Sequence, residues 1–571
     1  MPKYVWNLHT PDASAVAGLS KDLNISPLLA CLLINRGLRH PDEAARFLSP
    51  SLVQLHDPFL LTGMARVVER VERAIAGAEK ILIYGDYDVD GITSVVILKK
   101  FLEMAGANVQ YHVPERLTEG YGLRPERMEQ AAGEGVKLII SVDSGIRADD
   151  AARAARARNI DLVITDHHLP EKELPPAYEV LNPNRKDCAY PDKNLAGVGV
   201  AFKLVQALLE RSGRERLIPS FLKIVSIGTI ADIVPLLGEN RVFVKIGLEG
   251  LKSPRNYGLK ALLESAGMLG RQIDYSAVGF RIAPRINAVG RMGDTADAVR
   301  LFDSLEEVEA RSIAARLADK NLLRQEEQGQ ILKSIEQKFQ QEPEAFSQHV
   351  IVLWDRCWHR GVIGIVASRV MEAYGRPVLI ASIEDAVATG SGRSFGDFHL
   401  LEALEACRTL FEKYGGHRNA AGFTLDAALL PELRRQLNQY ARGLFLEPPS
   451  PSISVDAILP LHNLNFGVWE EISRLEPFGF GNPVPIFRDD EIAVRAGPFV
   501  LKEKHIKWRL ESGLCSEAVW WNQIDKLEML KPLRSLHALY QLEMNEFRGE
   551  RGLVARIRDL SIAECGLRNA E

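Results

Sequence analysis

The chain has no run of about 18 apolar residues, so no transmembrane helix is expected. Its opening stretch, MPKYVWNLHTPDAS, has no apolar signal core, and export is not expected either. Cysteine is sparse: Cys31, Cys188, Cys357, Cys407, Cys515 and Cys565 lie far apart, and no C-x-x-C pair occurs. This argues against zinc knuckles and a disulfide framework, and it fits a reducing, cytoplasmic setting. Positive charge is not in excess. With 70 Lys and Arg against 75 Asp and Glu the formal net charge is −5, which gives no overall pull toward a polyanion. A nucleic acid would have to be met by local cations or by metal ions. Internal repeats and low-complexity tracts are also missing. What is left is an ordinary globular composition, 46% hydrophobic and 25% charged, in 571 residues. That length is too great for one core and predicts three or four domains.

Residues 84–94 read YGDYDVDGITS, with Asp86, Asp88 and Asp90 on alternate positions closed by Gly91. An EF-hand shares this opening but needs a Glu at its twelfth position, where this chain has Ile97. The flank disagrees too, because KILIY (80–84) reads as a buried strand rather than a helix. Before it, residues 1 to about 75 read as helical. After it, the apolar runs KILIY, VQYHV (109–113), KLIISV (137–142), DLVIT (161–165) and FLKIVSIGTI (221–230) alternate with amphipathic stretches. That pattern signals βαβ units and a mostly parallel sheet, although the last run also suits a buried helix. Residues 302–340 contain a single glycine and no proline, and Leu305, Val308, Ile313, Leu317, Ile331 and Ile335 recur at helical spacing. A long helix joining two lobes is expected there. Alternation resumes at HVIVLW (349–354), LEPPSPS (446–452) reads as a linker, and the remainder reads as a small β domain.

Four apolar runs end in acids: Asp86, Asp88 and Asp90 after the first, Asp143 after KLIISV, Asp166-His167-His168 after DLVIT, and Asp232 after FLKIVSIGTIA. In an open parallel sheet ligands bind outside the carboxyl ends of the strands, so these clusters are expected to share one crevice. Any one Asp after a strand is ordinarily a helix N-cap. Recurrence at equivalent places favours a metal site, since so many carboxylates together would otherwise have to protonate. Oxygen ligands with one or two imidazoles suit Mn²⁺ or Mg²⁺, and the number of ligands leaves room for two metals with one carboxylate bridging. Paired metals imply phosphoester or phosphoanhydride hydrolysis. Gly91 opens the next helix, whose free N–H groups could also receive a phosphate oxygen.

GDYDVDG, SVDSGI, TDHH and ADIVPL resemble, in order, the four motifs of the DHH phosphoesterase superfamily, and YGGHRNAAGF (414–423) resembles the glycine-rich signature of its second domain. Further segments, among them EGYGL, LAGVGVAFKL, GFRIAPRINAVGRM, WHRGVIGIVASR and LEPFGFGNPVPIF, resemble the RecJ family of single-stranded-DNA exonucleases. The resemblance implies an α/β fold: a DHH-type parallel-sheet domain (76–300) after an N-terminal helical segment (1–75), a connecting long helix (301–345), a DHHA1-type domain (346–446) and a C-terminal OB-like β-barrel (453–565). It implies 5′→3′ hydrolysis of single-stranded DNA to 5′-mononucleotides in repair and recombination, with two Mn²⁺ or Mg²⁺ per site. Asp86 and Asp88 would serve one metal, and Asp90, His167 and Asp232 the other. Asp143 would bridge, His168 would contact the scissile phosphate, and Asp166 would orient a histidine. Ser144 stands where many relatives have Asn or Cys, at a position that is not a ligand.

An end-recognising enzyme must also hold its strand. Ser391 and Arg393 in GSGRS suit a terminal phosphate, and GGHRNAAG adds His417. Arg281, Arg285, Asn287 and Arg291 are expected to line the DNA path on the strength of the resemblance. In LKEKHIKWRL, Lys507 and Trp508 read as backbone contact plus base stacking on the barrel, and at least one of Trp520 and Trp521 should be buried. Relatives work with a single-strand-binding protein and a DNA helicase, and the family geometry would place the barrel beside a hole too narrow for a duplex. Two other readings compete: a phosphoesterase for short oligonucleotides or cyclic dinucleotides, and a non-catalytic single-stranded-DNA-binding scaffold. The chain length and the extra β domain weigh against the first. The complete set of metal motifs weighs against the second.

Overall fold

The run Lys80–Tyr84 forms strand β1, a central strand buried along four of its five residues because helices pack on both faces of the sheet. The acids after it end the strand, and Asp88 caps helix α1 (Val89–Met104) by accepting from the Gly91 N–H at 3.0 Å. Strands β2 (Asn108–His112), β3 (Val136–Val142), β4 (Asp161–Thr165) and β5 (Glu179–Leu181) complete the sheet in the order β2-β1-β3-β4-β5, all parallel. The strand order reverses at the β1/β3 pair, and the crevice outside their carboxyl ends is where such sheets bind ligands. In this computed structural model the described residues are 4–116, 119–120, 122–293, 295–444, 452–547 and 550–561.

The run 221–230 is not a strand. It lies within helix α2 (Ile218–Ala231), with Pro219 in its first turn, so Asp232 stands at a helix end rather than a strand end. Ten apolar-rich residues exceed the usual strand length, and the preceding proline is a helix start signal. Helix α3 (Ala283–Met292) follows a π-helical turn at Val278–Ile282. The long helix α4 (Glu307–Gln341) is present, with Ile313, Leu317, Ile331 and Ile335 buried. Leu305 and Val308 are instead 82% and 79% exposed. Leu305 precedes the helix, and Val308 in its first turn faces solvent, so the helical phase does not extend back to them.

Beyond α4, β6 (Ile351–Asp355), helix α5 (Ile363–Tyr374), β7 (Val378–Glu384), β8 (Val387–Arg393), β9 (Phe411–Gly416) and β10 (Ala420–Asp426) form a second lobe. Its sheet runs β9-β10-β8-β7-β6, with only the β6/β7 pair parallel. Both lobes belong to one compact unit, Leu55–Val234 with Val242–Pro449.

The other unit combines Met1–Gln54, Pro235–Arg241 and Ser450–Glu571. The segment expected at 1–75 is thus divided between the two units near residue 54. Its helices are Ala13–Leu23, Pro27–Asn35 and Pro41–Leu48 in this unit and Met64–Ala76 in the other, and a strand, Val5–Leu8, pairs in parallel with Ser452–Val455. The linker expected at 446–452 lies outside the described residues except for Ser452, as do residues 562–565 of the expected last domain. Strands β11 (Phe487–Leu501), β12 (His505–Leu510), β13 (Glu517–Trp520), β14 (Ser535–Phe547) and β15 (Glu550–Leu560) close a five-stranded barrel in the order β11-β12-β13-β15-β14-β11. The helices of residues 13–48 share its core. No single helix among the described residues is long and apolar enough to cross a membrane.

Arg241 is fully buried in this unit. Its guanidinium donates to the carbonyls of Phe47 (2.8 Å), Leu475 (2.9 Å), Glu476 (2.9 Å) and Pro477 (3.2 Å) and lies 3.7 Å from the Phe47 ring. Burial, and then Arg36, push its pKa down to about 9. Removing it would strand several buried acceptors, each worth about 1–3 kcal/mol. Arg241→Met is therefore expected to cost about 3 kcal/mol or more, read as a lowered urea midpoint. An unchanged midpoint would contradict this account.

Candidate active site

Asp86 and Asp88 follow β1, Asp90 lies in the first turn of α1, Asp143 follows β3, Asp166-His167-His168 follows β4, and Asp232 ends α2. The fold brings all of them together. Three sets have ligand atoms within 4.8 Å of one another: Asp86, Asp88 and Asp143; Asp90, His167 and Asp232; Asp143, His167 and His168. Asp143 belongs to two sets, and its backbone is left-handed (φ +58°), a conformation that Asp tolerates better than most residues.

Close packing builds this centre. A Cβ on residue 91 would lie 2.6 Å from the Asp86 carbonyl oxygen, so Gly91 is needed for close approach, and its N–H is already taken by Asp88 rather than offered to a phosphate. A Cβ on Gly197 would lie 2.3 Å from Asp143 Oδ1. The amides of Gly197 and Val198, opening another helix, donate to Asp90 at 2.7 and 2.8 Å. Asp166 is buried and accepts from the Ile146 amide at 2.9 Å and from His168 Nδ1 at 2.7 Å, which fixes that ring. Asn182 and Asn184 hold the carbonyls of His168 and His167 at 2.9 and 2.7 Å.

The electrostatics match a cation site. Burial, and then Asp88, hold Asp86 well above the usual carboxylate range and carry Asp90 up to about 7. Burial followed by the charges of Asp90 and Asp88 does the same to Asp143 and Asp232. Burial, then His168, depresses His167 to about 4, so its imidazole is neutral, the form that ligates metals. Burial would lower His168 as well, but the Asp166 hydrogen bond and the nearby carboxylates outweigh it and raise that histidine. Asp166 is lowered because the His168 bonds and backbone N–H donors overcome its burial. Asp86 Oδ1, Asp143 Oδ1, His167 Nε2 and Asp232 Oδ2 are buried without hydrogen-bond partners. Four orphaned ligand atoms in one cluster, all oxygen or imidazole nitrogen, fit hard divalent cations such as Mn²⁺ and Mg²⁺.

A cavity of about 420 Å³ lies in the same unit, lined by Arg116, Arg360, Gly361, Ser391, Arg393, Gly416 and Gly422 among others. Arg393 donates to Ser391 Oγ (3.0 Å) and Ser368 Oγ (3.2 Å). Burial, then the charges of Arg393 and His168, depress His417, which places that residue within electrostatic reach of both lobes. Arg291 bridges the lobes by donating to the Gly361 carbonyl at 3.0 Å. Burial, then Arg116, push its pKa down to about 9. Arg281 is exposed, Arg285 turns back to the Ser265 carbonyl at 3.0 Å, and Asn287 is half-buried.

Trp508 is fully buried in the barrel core and does not offer a face to a base. Along β12 the even positions Ile506, Trp508 and Leu510 point inward, an alternation already written in HIKWRL. Lys507 is half-buried and pairs with Glu517 at 2.6 Å. Trp520 is buried while Trp521 is 38% exposed beside His505. The sequence reading missed Arg116, Arg360 and Gly197. Arg116 carried no motif signal, whereas the glycines of LAGVGVAF were a legible sign of close approach.

Residues 80–229 match the family described as DHH family, N-terminal domain, residues 347–443 the DHHA1 domain and residues 455–559 the RecJ OB domain. The single-stranded-DNA-specific exonuclease RecJ of Bacillus subtilis is 35% identical over 99% of this chain and 72% of its own. The crystal structure of RecJ in complex with Mn²⁺ from Thermus thermophilus superposes with a TM-score of 0.83 at 32% identity, over 97% of this chain and 79% of that one. Its Mg²⁺ complex gives 0.77 at 29%, over 99% and 78%.

Proposed function

Because the chain belongs to the RecJ family and is a metal-dependent exonuclease for single-stranded DNA, we propose that it works 5′→3′, releases 5′-mononucleotides by a two-metal hydrolysis, and acts in DNA repair and recombination. The observation that carries the polarity is the cationic cavity of Arg116, Ser391 and Arg393 in the unit that also holds the carboxylate cluster. It is built to take a terminal phosphate: forked guanidiniums, a hydroxyl and close glycine backbone.

Asp86 and Asp88 would hold one metal and Asp90, His167 and Asp232 the other, and Asp143, grouped with Asp86 and Asp88 and also with His167, would serve both. When bound, such cations supply Lewis acidity toward phosphate oxygens and lower the pKa of water. The protein's own groups do the rest. Asp166 orients His168, whose raised pKa favours a protonated ring able to donate to the scissile phosphate. Arg281, Arg285, Asn287 and Arg291 line the path of the strand, and Lys507 adds a backbone contact on the barrel. A DNA helicase and a single-strand-binding protein are the partners that supply and cover the strand, and the cytoplasm is the site of action.

The test uses 5′-labelled single strands and blunt duplexes with Mn²⁺. Labelled mononucleotide as the first product from single strands, with duplexes left intact, is expected. Release of label only after extensive digestion would reverse the polarity, and equal rates on both substrates would remove strand exclusion.

A further inference from the structure

Tyr87 stands between two acids of the cluster, Asp86 and Asp88, yet the roles above leave it idle. Its surroundings are not those of a spacer. The guanidinium of Arg116 lies 5.3 Å from the centre of the Tyr87 ring, within cation–π range. Arg116 is also a wall of the cationic cavity that contains Ser391 and Arg393. One aromatic ring thus touches a cation of the cavity while its backbone neighbours supply the carboxylates.

The main chain of Tyr87 is held as firmly as the ring. Helix α3 passes so close that a Cβ on Gly290 would lie 2.5 Å from the Tyr87 carbonyl oxygen. The next residue, Arg291, donates to the Gly361 carbonyl at 3.0 Å, and a Cβ on Gly361 would lie 2.7 Å from the Arg291 carbonyl oxygen. Gly361 lines the same cavity. The carboxylate loop and helix α3 therefore meet at Tyr87, and helix α3 meets the loop before α5 one residue further on, at Arg291.

We propose that Tyr87 is a positioning residue that sets where the cut falls relative to the strand end, because it carries Arg116 of the cavity on a ring whose two neighbours belong to the carboxylate cluster. An exonuclease that grips a terminal phosphate in one place and cuts in another has a product length equal to the span between them. In this protein Tyr87 links the two places. The inference rests on the terminal-phosphate reading of the cavity and adds the device that couples it to the cutting centre. A ring is needed and a hydroxyl is not, because the contact to Arg116 is made by the aromatic face.

The experiment compares wild type, Tyr87→Phe and Tyr87→Leu on single strands with a 5′-phosphate or a 5′-hydroxyl, scoring relative rate and first-product size, with Mn²⁺ affinity measured separately by calorimetry. Tyr87→Phe is expected to keep the preference for the phosphorylated end. Tyr87→Leu is expected to lose at least tenfold of that preference and to release di- and trinucleotides beside mononucleotides, with Mn²⁺ affinity within twofold of wild type. A leucine variant that keeps both the preference and the single-nucleotide product overturns the proposal. So does one whose defect is a loss of Mn²⁺ affinity, which would assign Tyr87 to the carboxylate loop alone. A wild-type enzyme without end preference is a different result: it removes the terminal-phosphate reading, and the coupling falls with it.

Discussion

Replacing Asp143 by asparagine should reduce cleavage by at least about a thousandfold while leaving affinity for single-stranded DNA within a few-fold of wild type. The magnitude follows from its place in the site. Asp143 is shared by the Asp86/Asp88 set and the His167/His168 set, and its Oδ1 is buried without a partner. Removing a member of an interdependent catalytic set commonly costs about as much as removing the set. Asparagine is a cleaner choice than alanine. Residue 143 has φ +58° and is packed against Gly197, so alanine would add backbone strain and a void, whereas asparagine keeps the shape and tolerates the left-handed conformation. In the proposed function, strand binding is assigned to the cavity arginines and the barrel rather than to this carboxylate. Nuclease rate at saturating Mn²⁺ and binding to a labelled strand in EDTA check the two halves. Retained cleavage would refute the shared-ligand scheme.

The second large effect is a pH-dependent response to metal. Asp90 is carried up to about 7, and Asp86, Asp143 and Asp232 are also raised, by burial among one another. A carboxyl whose folded pKa lies above its unfolded value adds stability below the unfolded pKa and loses it as pH rises through the folded one. For Asp90 that window runs from about 4 to about 7, and the loss is on the order of 4 kcal/mol without metal. Divalent cations require the ionised form, so binding releases protons and strengthens over the same window. Metal-stripped protein should therefore lose stability through these groups as pH rises from about 5 to about 7 (roughly the upper part of the window). Mn²⁺ should raise Tm by about 5 °C or more at the upper pH and little at the lower. Melts with Mn²⁺ and with EDTA at both values decide it, and an equal Mn²⁺ shift at the two pH values would contradict the assignment.

Much of this site was readable in advance. Apolar runs that stop at Asp86, Asp143 and Asp166 announce strand ends, and parallel strands put their carboxyl ends on one side. Asp232 was legible as the acid that ends an apolar run and again in ADIVPL, although the run itself was ambiguous, because periodicity alone does not separate a buried helix from a strand. The inward turn of Trp508 was legible in the alternation of HIKWRL, and the lure of Lys and Arg beside aromatics hid it. Arg116 was not legible at all. It is a single arginine without a pattern, and its meaning comes from Tyr87 and from Ser391 and Arg393, hundreds of residues later in the chain.

The sequence alone determined the chemistry of the donors, the alternation of strands and helices, and the long helix between lobes, since all of these depend on side-chain type and on spacing over a few residues. Tertiary structure decided that Asp143 is shared, that Gly197 must lack a side chain, that Asp90 is clasped by two amides, and that a tyrosine joins the acids to the cationic cavity. Those facts are distances between segments far apart in the chain. They arise only when packing has removed the water between them, and no local pattern encodes them.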